Sequence, residues 1–216
     1  MQWVNFYTSS IGRKIVMAST GIFLMAFLVF HLGLNATILI VDQGILFNQI
    51  ASEFHHNWGL RLLEILVFSG FAAHVFQGLL LTWQNQSKRN ISYQVQPSFS
   101  PDPARSMAVL GMIILAFLLL HLYQFWLPHL LGNTDDLSGL VQKTMSQGWV
   151  VTIYVAGCLA VAAHLWHGWR SAAITFGINE RYQWLLSFLG ISLALAVPLG
   201  LAAISVTLFI SSHAQL

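Results

Sequence analysis

Apolar residues form long stretches of the chain that charged side chains interrupt at only a few points. Five stretches contain no Asp, Glu, Lys or Arg: Ile15–Val41, Ile65–Ser87, Ser106–Thr134, Thr144–Trp169 and Tyr182–Leu216. Each is long enough for a membrane helix, which needs about 20 such residues. The pattern predicts an all-α fold, an integral membrane bundle forming one domain over residues 1–216. Its five transmembrane helices are expected at about 14–40, 60–84, 105–127, 148–172 and 183–211.

The composition agrees with the bilayer as the solvent. Hydrophobic residues make up 56% of the chain and charged residues only 7%, whereas soluble domains carry roughly 25% charge. The net charge of +2 does not indicate a nucleic-acid partner, because the few Lys and Arg residues lie at helix ends. Cys158 is the single cysteine, which excludes an internal disulfide, a cysteine-ligated iron–sulfur cluster and covalent haem attachment.

The positive charges predict how the five helices cross the membrane. One side has seven basic residues: Arg13, Lys14, Lys88, Arg89, Arg105, Arg170 and Arg181. The other side has two, Arg61 and Lys143, beside the acidic residues Asp42, Glu53, Asp135 and Asp136. Because basic residues concentrate in cytoplasmic loops, the N-terminus is expected in the cytoplasm and the C-terminus outside.

The segments outside the spans are each predicted to have a different structure. The first apolar run is too long for a signal peptide and is interpreted as a retained helix, with Met1–Ser10 along the interface. The inner loop Lys88–Arg105 contains three prolines and is expected to be irregular. A short interfacial helix is expected in the outer stretch Leu131–Gln147.

Histidines occur on each of the first four predicted helices: His31, His74, His121 and His164. A single buried histidine is as well explained by a hydrogen-bonded helix contact. One on each of four consecutive helices points to function, because ionisable residues are costly in a bilayer. The remaining histidines outside the spans are expected to be solvated interface residues: His55, His56, His129 and His213.

Depth sorts these four histidines into two layers. His31 and His121 follow the basic residues at the inner ends of their helices by 17 and 16 residues, or roughly 25 Å at about 1.5 Å per residue. His74 and His164 follow Trp58 and Trp149 at the outer ends by 16 and 15 residues. Since successive helices run in opposite directions, His31 and His121 share an outer layer, and His74 and His164 share an inner one.

Two histidines at one depth are the axial ligand set of a six-coordinate haem. A zinc site would need three or four clustered ligands, and a proton relay would need acids at matching depth. Gly78 and Gly168 each follow a histidine by four residues, on the same helix face, where they would let a flat macrocycle approach the backbone. Glycine is also common at helix contacts in membranes.

His167 lies one turn beyond His164 and competes with it as a ligand. His164 is preferred because its depth matches that of His74 and because it shares the glycine spacing. His167 would then meet a haem propionate or water at the inner rim.

Several sequence segments resemble the cytochrome b558 subunit family of succinate dehydrogenase. They are Ser9–Lys14 through Thr20-Gly21, His31-Leu-Gly-Leu-Asn35, Leu63-Glu64-Ile65 leading to His74, and His164 leading to Ser171, Thr175 and Gly177. The resemblance covers nearly the whole chain. It implies five membrane helices and two haem b groups, with iron ligands His74 and His164 on the inner haem and His31 and His121 on the outer one.

The resemblance also implies partners and a reaction. An FAD-containing flavoprotein would interconvert succinate and fumarate, and an iron–sulfur subunit would dock on the basic inner surface. Electrons would pass through the inner and then the outer haem to a membrane quinone, menaquinone or ubiquinone. The expected location is the bacterial cytoplasmic membrane, as a multi-pass subunit of succinate dehydrogenase (quinone), with the dicarboxylate chemistry on the partner subunits.

Quinone reduction needs a protonatable group near the outer haem. Glu64 is the candidate catalytic residue, about 15 Å outward from His74; it is equally well explained as an interfacial carboxylate paired with Arg61, three residues before it. Tyr123, Trp126 and His129 are quinone-side candidates that also fit an aromatic interface belt. Candidates for the inner propionates, also explained by the positive-inside bias, are Arg13, Lys14, Lys88, Arg89 and Arg170.

Two other functions stay open on the sequence. One is a di-haem anchor for a different respiratory dehydrogenase, such as a hydrogenase or formate dehydrogenase. The other is a transporter that uses its histidines for ions or protons, which would be colourless. Co-purified partners and an optical spectrum distinguish the three.

Overall fold

The computed structural model describes residues 9–40, 44–87, 103–132, 136–177 and 180–214. These residues form helices joined by short turns, without a β-strand in any of the five ranges. The predicted all-α class is therefore confirmed.

Five helices are long and apolar enough to cross a membrane, as the charge-free stretches predicted. The helices in chain order are α1 Ser10–Ala36, α2 Ile45–His56, α3 Trp58–Ser87, α4 Pro103–His121, α5 Leu127–Leu130, α6 Leu137–Met145, α7 Gly148–Thr175 and α8 Glu180–Ala214. A π-helical turn, Leu122–Trp126, joins α4 to α5 without a break in the helix. A 3₁₀ turn, Thr37–Leu39, extends α1. The elements that meet this criterion are α1, α3, α4 with α5, α7 and α8.

The connections at one end of the bundle are helical. The predicted interfacial helix is α6, whereas α2 was not predicted. At 12 residues α2 is too short to span a bilayer, and it forms because one face buries Phe47 and Ala51 against the bundle. This end is called the outer end below, after the charge prediction. The interfacial segment Met1–Ser10 and the inner loop Lys88–Arg105 fall largely outside the described residues.

Four of the long helices surround a common centre. Helix α1 packs against α3 and α7, and α4 packs against the same two helices from the other side. Helix α8 lies outside this ring and packs along α7 and α1. At the outer end an apolar cluster that includes Phe47, Phe125, Val150, Tyr154 and Leu208 joins the interfacial helices to the bundle. The ring of four is therefore closed at its outer end by α2 and α6.

Trp169 of α7 lies over Gly190 of α8. A Cβ atom at position 190 would overlap the Trp169 ring. The ring has little freedom to move away, because its Nε1 donates a hydrogen bond of 3.1 Å to the Leu186 carbonyl on α8. Only glycine fits this contact.

Substituting Gly190→Ala is expected to destabilise the bundle by about 1–3 kcal/mol, as overpacking does elsewhere. The measurement is thermal unfolding in detergent. Gly111→Ala is the matched control, because nothing lies within 4 Å of a Cβ at that helical position. Equal melting temperatures for the two variants would show that the α7–α8 contact is looser than described.

A polar network links the two interfacial helices. The Asp136 carboxylate caps the N-terminus of α6 by accepting a hydrogen bond from Gly139 N (2.9 Å). It also accepts from Asn48 Nδ2 of α2 (2.9 Å) and from Ser138 Oγ (2.8 Å), and Ser138 N in turn donates to Asn48 Oδ1 (2.9 Å). These bonds hold the Asp136 pKa below its usual value, the Gly139 amide contributing most.

The lowered pKa makes the outer cap sensitive to acid. A carboxyl group with a depressed folded-state pKa stabilises the fold above its unfolded value of about 3.9 and loses that contribution as pH falls further. Asp136→Ala is expected to lower stability by about 0.5–2 kcal/mol at neutral pH, as for other N-caps. The difference from wild type should shrink below about pH 4.

Thermal unfolding followed between pH 3 and 7 measures this difference. Asp136→Asn is the control, since an amide oxygen can still cap the helix but does not titrate there. A wild-type advantage over Asp136→Ala that is constant with pH would contradict the assignment.

Candidate functional site

The outer pair of histidines meets between α1 and α4. His31 lies on α1 and His121 is the last residue of α4, and their ring centroids are 5.7 Å apart with an interplanar angle of 83°. Aromatic rings surround the pair: Phe27 lies 5.5 Å from His31, and Phe125 lies 5.5 Å from His121. The two imidazoles thus lie in a largely aromatic layer.

The inner pair repeats this arrangement between α3 and α7. The ring centroids of His74 and His164 are 6.1 Å apart, with an interplanar angle of 79°. The structure therefore brings together the same two pairs that depth along the helices predicted.

Each pair joins helices that face one another across the bundle. Helices α1 and α4 share no extensive packing surface within the described ranges, and the same holds for α3 and α7. The imidazoles consequently meet near the axis of the four-helix ring. Two imidazoles that coordinate one metal from opposite sides, at about 2.0 Å each, place their ring centroids about 6 Å apart. Both observed separations are close to that value.

The separation of the two layers follows from contacts along α1 and α7. Thr20 on α1 lies at hydrogen-bond distance from His74, and His31 follows it by eleven residues, about 16 Å along the helix axis. Tyr154 on α7 lies beside His121, and His164 follows it by ten residues, about 15 Å. Two independent helices therefore give the same distance between the inner and outer pairs.

A hydroxyl group faces one ring nitrogen in each pair. In the inner pair Thr20 Oγ1 lies 3.1 Å from His74 Nδ1 and donates its own proton to the Val16 carbonyl (2.8 Å). In the outer pair Tyr154 Oη lies 3.4 Å from His121 Nδ1 and donates to Gln124 Oε1 (2.7 Å). With its proton committed elsewhere, each hydroxyl oxygen is left to accept from the imidazole Nδ1–H.

The other two imidazoles differ from this pattern. His164 Nδ1 is buried without a hydrogen-bond partner among the described residues. His31 Nε2 accepts from Asn35 Nδ2 at 3.3 Å. As it stands, this contact occupies the nitrogen that most often binds iron, and a half-turn of the ring about Cβ–Cγ would release it. Asn35 is anchored independently by its 2.8 Å bond to the His31 carbonyl.

A glycine on α1 borders the inner pair. A Cβ at Gly21 of α1 would lie 3.3 Å from His74 Cε1, so this glycine admits the ring. Of the two glycines that share the spacing after histidine, a Cβ at Gly168 would meet nothing within 4 Å, whereas a Cβ at Gly78 would lie 3.6 Å from Met17 Cε. Only Gly168 thus leaves a free approach to the backbone.

Glu64 is held by two partners near the outer end of α3. Its Oε2 forms an ion pair with Arg61 Nη1 (2.9 Å), and its Oε1 accepts from Trp126 Nε1 (2.6 Å). The Trp126 ring lies 4.9 Å from that of Phe68. The expected Arg61 pair is present, and the structure adds Trp126, one of the quinone-side candidates. Tyr123 is 68% exposed on the bundle surface and His129 is partly buried.

The remaining candidates lie apart from the two pairs. His167 is exposed on α7, as are Lys14 and Arg170 near the inner end. His56 and His213 are exposed and bond to backbone carbonyls of their own helices. Lys88 and Arg89, and the side chains of His55 and Arg105, lie outside the described residues.

Three polar residues near the pairs were not predicted. Tyr154 and Gln124 contact each other beside His121, and Gln77, one turn after His74, is buried with its Nε2 unpartnered within the described ranges. The sequence signal for these residues is a polar side chain inside a charge-free span. The sequence does not show which helix face each one occupies, because that depends on packing.

Arg13 Nε is also buried and has no hydrogen-bond partner among the described residues. Within the described residues no group of three or more His, Cys, Asp or Glu could hold a metal ion.

No family model, curated protein or solved structure matches the chain.

Proposed function

We propose that the chain is the di-haem cytochrome b membrane anchor of a succinate:quinone oxidoreductase. The observation that carries the proposal is the pairing of four imidazoles across the bundle axis at two depths, with centroid separations of 5.7 and 6.1 Å. Both separations suit axial coordination of one iron by two histidines. Nothing lies within 4 Å of a Cβ at Gly168, which leaves room for a macrocycle beside α7 near His164.

The four histidines would bind two haems at different depths in the membrane. His74 and His164 would hold one haem b in the inner half of the bilayer, and His31 and His121 would hold another in the outer half. Bound haem would supply one-electron redox chemistry at both depths. The layer spacing of about 15 Å, ten to eleven helical residues, leaves each pair its own turns of helix. The basic inner end, carrying Arg13, Lys14 and Arg170, would face the cytoplasm and receive an iron–sulfur subunit.

Quinone would bind at the outer end beside Glu64 and Trp126. A partly buried carboxylate near the interface can take up a proton and pass it to a reduced quinone, and Trp126 Nε1 donates a hydrogen bond to one of its oxygens. The ion pair with Arg61, which is 37% exposed, stays close to the polar interface. This favours a site open to the lipid, where a menaquinone or ubiquinone head group would arrive.

Succinate-driven haem reduction in the intact complex tests this proposal. The complex should be isolated from membranes through an affinity tag on this chain. Succinate is expected to reduce a b-type haem, and the co-purified subunits are expected to contain FAD and iron–sulfur clusters. Nickel or molybdenum in those subunits would assign the anchor to a hydrogenase or a formate dehydrogenase instead. A colourless protein would favour the transporter.

A further inference from the structure

The Tyr154 hydroxyl is a polar group in a buried, largely aromatic part of the bundle. The residue is 5% exposed, and its ring packs edge-on against Phe117 with centroids 5.1 Å apart. A buried hydroxyl is costly unless it is hydrogen-bonded. The neighbouring groups that bond it are Gln124, which takes its proton at 2.7 Å, and the His121 imidazole, at 3.4 Å. The hydroxyl therefore connects a polar residue of the π turn to one of the paired histidines.

Gln124 belongs to the π turn that follows His121. Pro128 lacks an N–H, and in a regular helix its ring would clash with the carbonyl of residue 124. The helix widens instead, and Leu127 N bonds to Leu122 O, five residues back. Gln124 lies within this widened turn, and its side chain and that of His121 both contact the Tyr154 hydroxyl. Single π turns of this kind occur frequently at functional sites.

We infer that Tyr154, fixed by Gln124, is a positioning residue that sets the tautomer and orientation of the His121 imidazole. Because the phenol proton goes to Gln124, the phenol oxygen accepts from His121 Nδ1–H. The lone pair then resides on Nε2, the nitrogen available to a metal. An acceptor on the far nitrogen of a ligating histidine also raises the basicity of the ligand. The inference rests on the proposed function for its redox consequence, but its structural part concerns the chain alone.

Thr20 provides an internal comparison. Its hydroxyl meets His74 Nδ1 in the inner layer, at 3.1 Å, with its own proton on the Val16 carbonyl. The two hydroxyls lie on different helices and in different layers. Loss of one should affect its own pair and leave the other unchanged, because sites more than about 10 Å apart act independently.

The first test measures the midpoint potentials of both haems in the intact complex for wild type, Tyr154→Phe and Thr20→Val. A more basic ligand stabilises ferric iron, so Tyr154→Phe is expected to raise the potential of the outer haem alone. The shift should be up to tenfold in the ferric–ferrous equilibrium, or about 59 mV for one electron. The electron paramagnetic resonance signal of that haem should change with it. Thr20→Val should shift only the inner haem.

Two haems with unchanged potentials and spectra in Tyr154→Phe would overturn the inference, as would equal shifts of both haems. Gln124→Met, which retains the phenol, is the second variant should Tyr154→Phe not fold. It is expected to give a smaller shift of the same sign, and no shift would count against the inference.

Nitrogen-15 NMR of the imidazoles in haem-free protein separates this inference from the proposed function. Wild type should show the Nδ1–H tautomer for His121, identified by its loss in His121→Gln, and Tyr154→Phe should lose that preference. A wild-type protein that contains no haem would refute the proposed function. The His121 tautomer would still be measurable in that protein, so the inference would be tested independently. An Nε2–H tautomer in the wild type would overturn the inference.

Discussion

Substituting His31→Ala is expected to remove one of the two haems and leave the other in place. The His121 ring would keep its position but lose its opposing ligand across 5.7 Å. The inner pair, about 15 Å away along α7, shares no ligand with the outer pair and should be unaffected. The haem content per chain should therefore fall by half. The remaining haem should have the midpoint potential of the inner site.

His74→Ala is expected to give the complementary result, retaining the outer haem. His167→Ala is the matched control, because His167 lies one turn from His164 but its side chain is exposed. Haem content is measured by the pyridine haemochrome method on purified protein, and potentials by redox titration. Full haem content in both His31→Ala and His74→Ala would refute the ligand assignment. Loss of a haem in His167→Ala would show that His167, and not His164, is the ligand on α7.

Substituting Glu64→Gln is expected to lower quinone reduction by about 10²–10⁴-fold, the usual contribution of a positioned general acid or base. Glutamine keeps an oxygen for the Trp126 indole, so the local geometry should survive. It removes the ion pair with the partly exposed Arg61, which at such a site contributes at most about 1 kcal/mol to stability. The expected loss is therefore one of proton transfer and not of folding.

The rate is measured as quinol formation with succinate as the donor, alongside the rate of haem reduction by succinate. Haem reduction should be unchanged, because the inner end is untouched. Glu53→Gln, at an exposed carboxyl of α2 on the same side of the bundle, is the control and should match wild type. A Glu64→Gln rate within threefold of wild type would leave Glu64 as an interfacial carboxylate paired with Arg61.

The spans and the histidine pairs could be predicted because both depend on quantities that the chain carries locally. The length of an apolar stretch determines whether it can cross the bilayer, and 1.5 Å per residue converts sequence separation into depth. Since the first and third membrane helices cross in the same direction, His31 could be matched with His121 by depth without knowing which helices touch. That these pairs lie on diagonal helices, and so meet at the bundle axis, needed the structure.

Other features depend on packing between distant segments. Helix α2 is too short to produce a membrane signal and is stabilised by burying Phe47 at the end of the bundle. The π turn arises from Pro128 together with the packing of Phe125 and Gln124 against α7. In the sequence, Tyr154 is one residue of a charge-free stretch. Its position beside His121 follows from the packing of α7 against α4. The resemblance to the succinate dehydrogenase family remains a prediction from the sequence.

The central claim, two haems held by two histidine pairs, is tested most directly by the haem stoichiometry of the purified wild-type chain. A reduced-minus-oxidised spectrum together with pyridine haemochrome and protein quantification gives this number. The proposal predicts a b-type spectrum and two haems per chain. A protein that lacks a b-haem α band, or that holds a single haem when fully loaded, would contradict it.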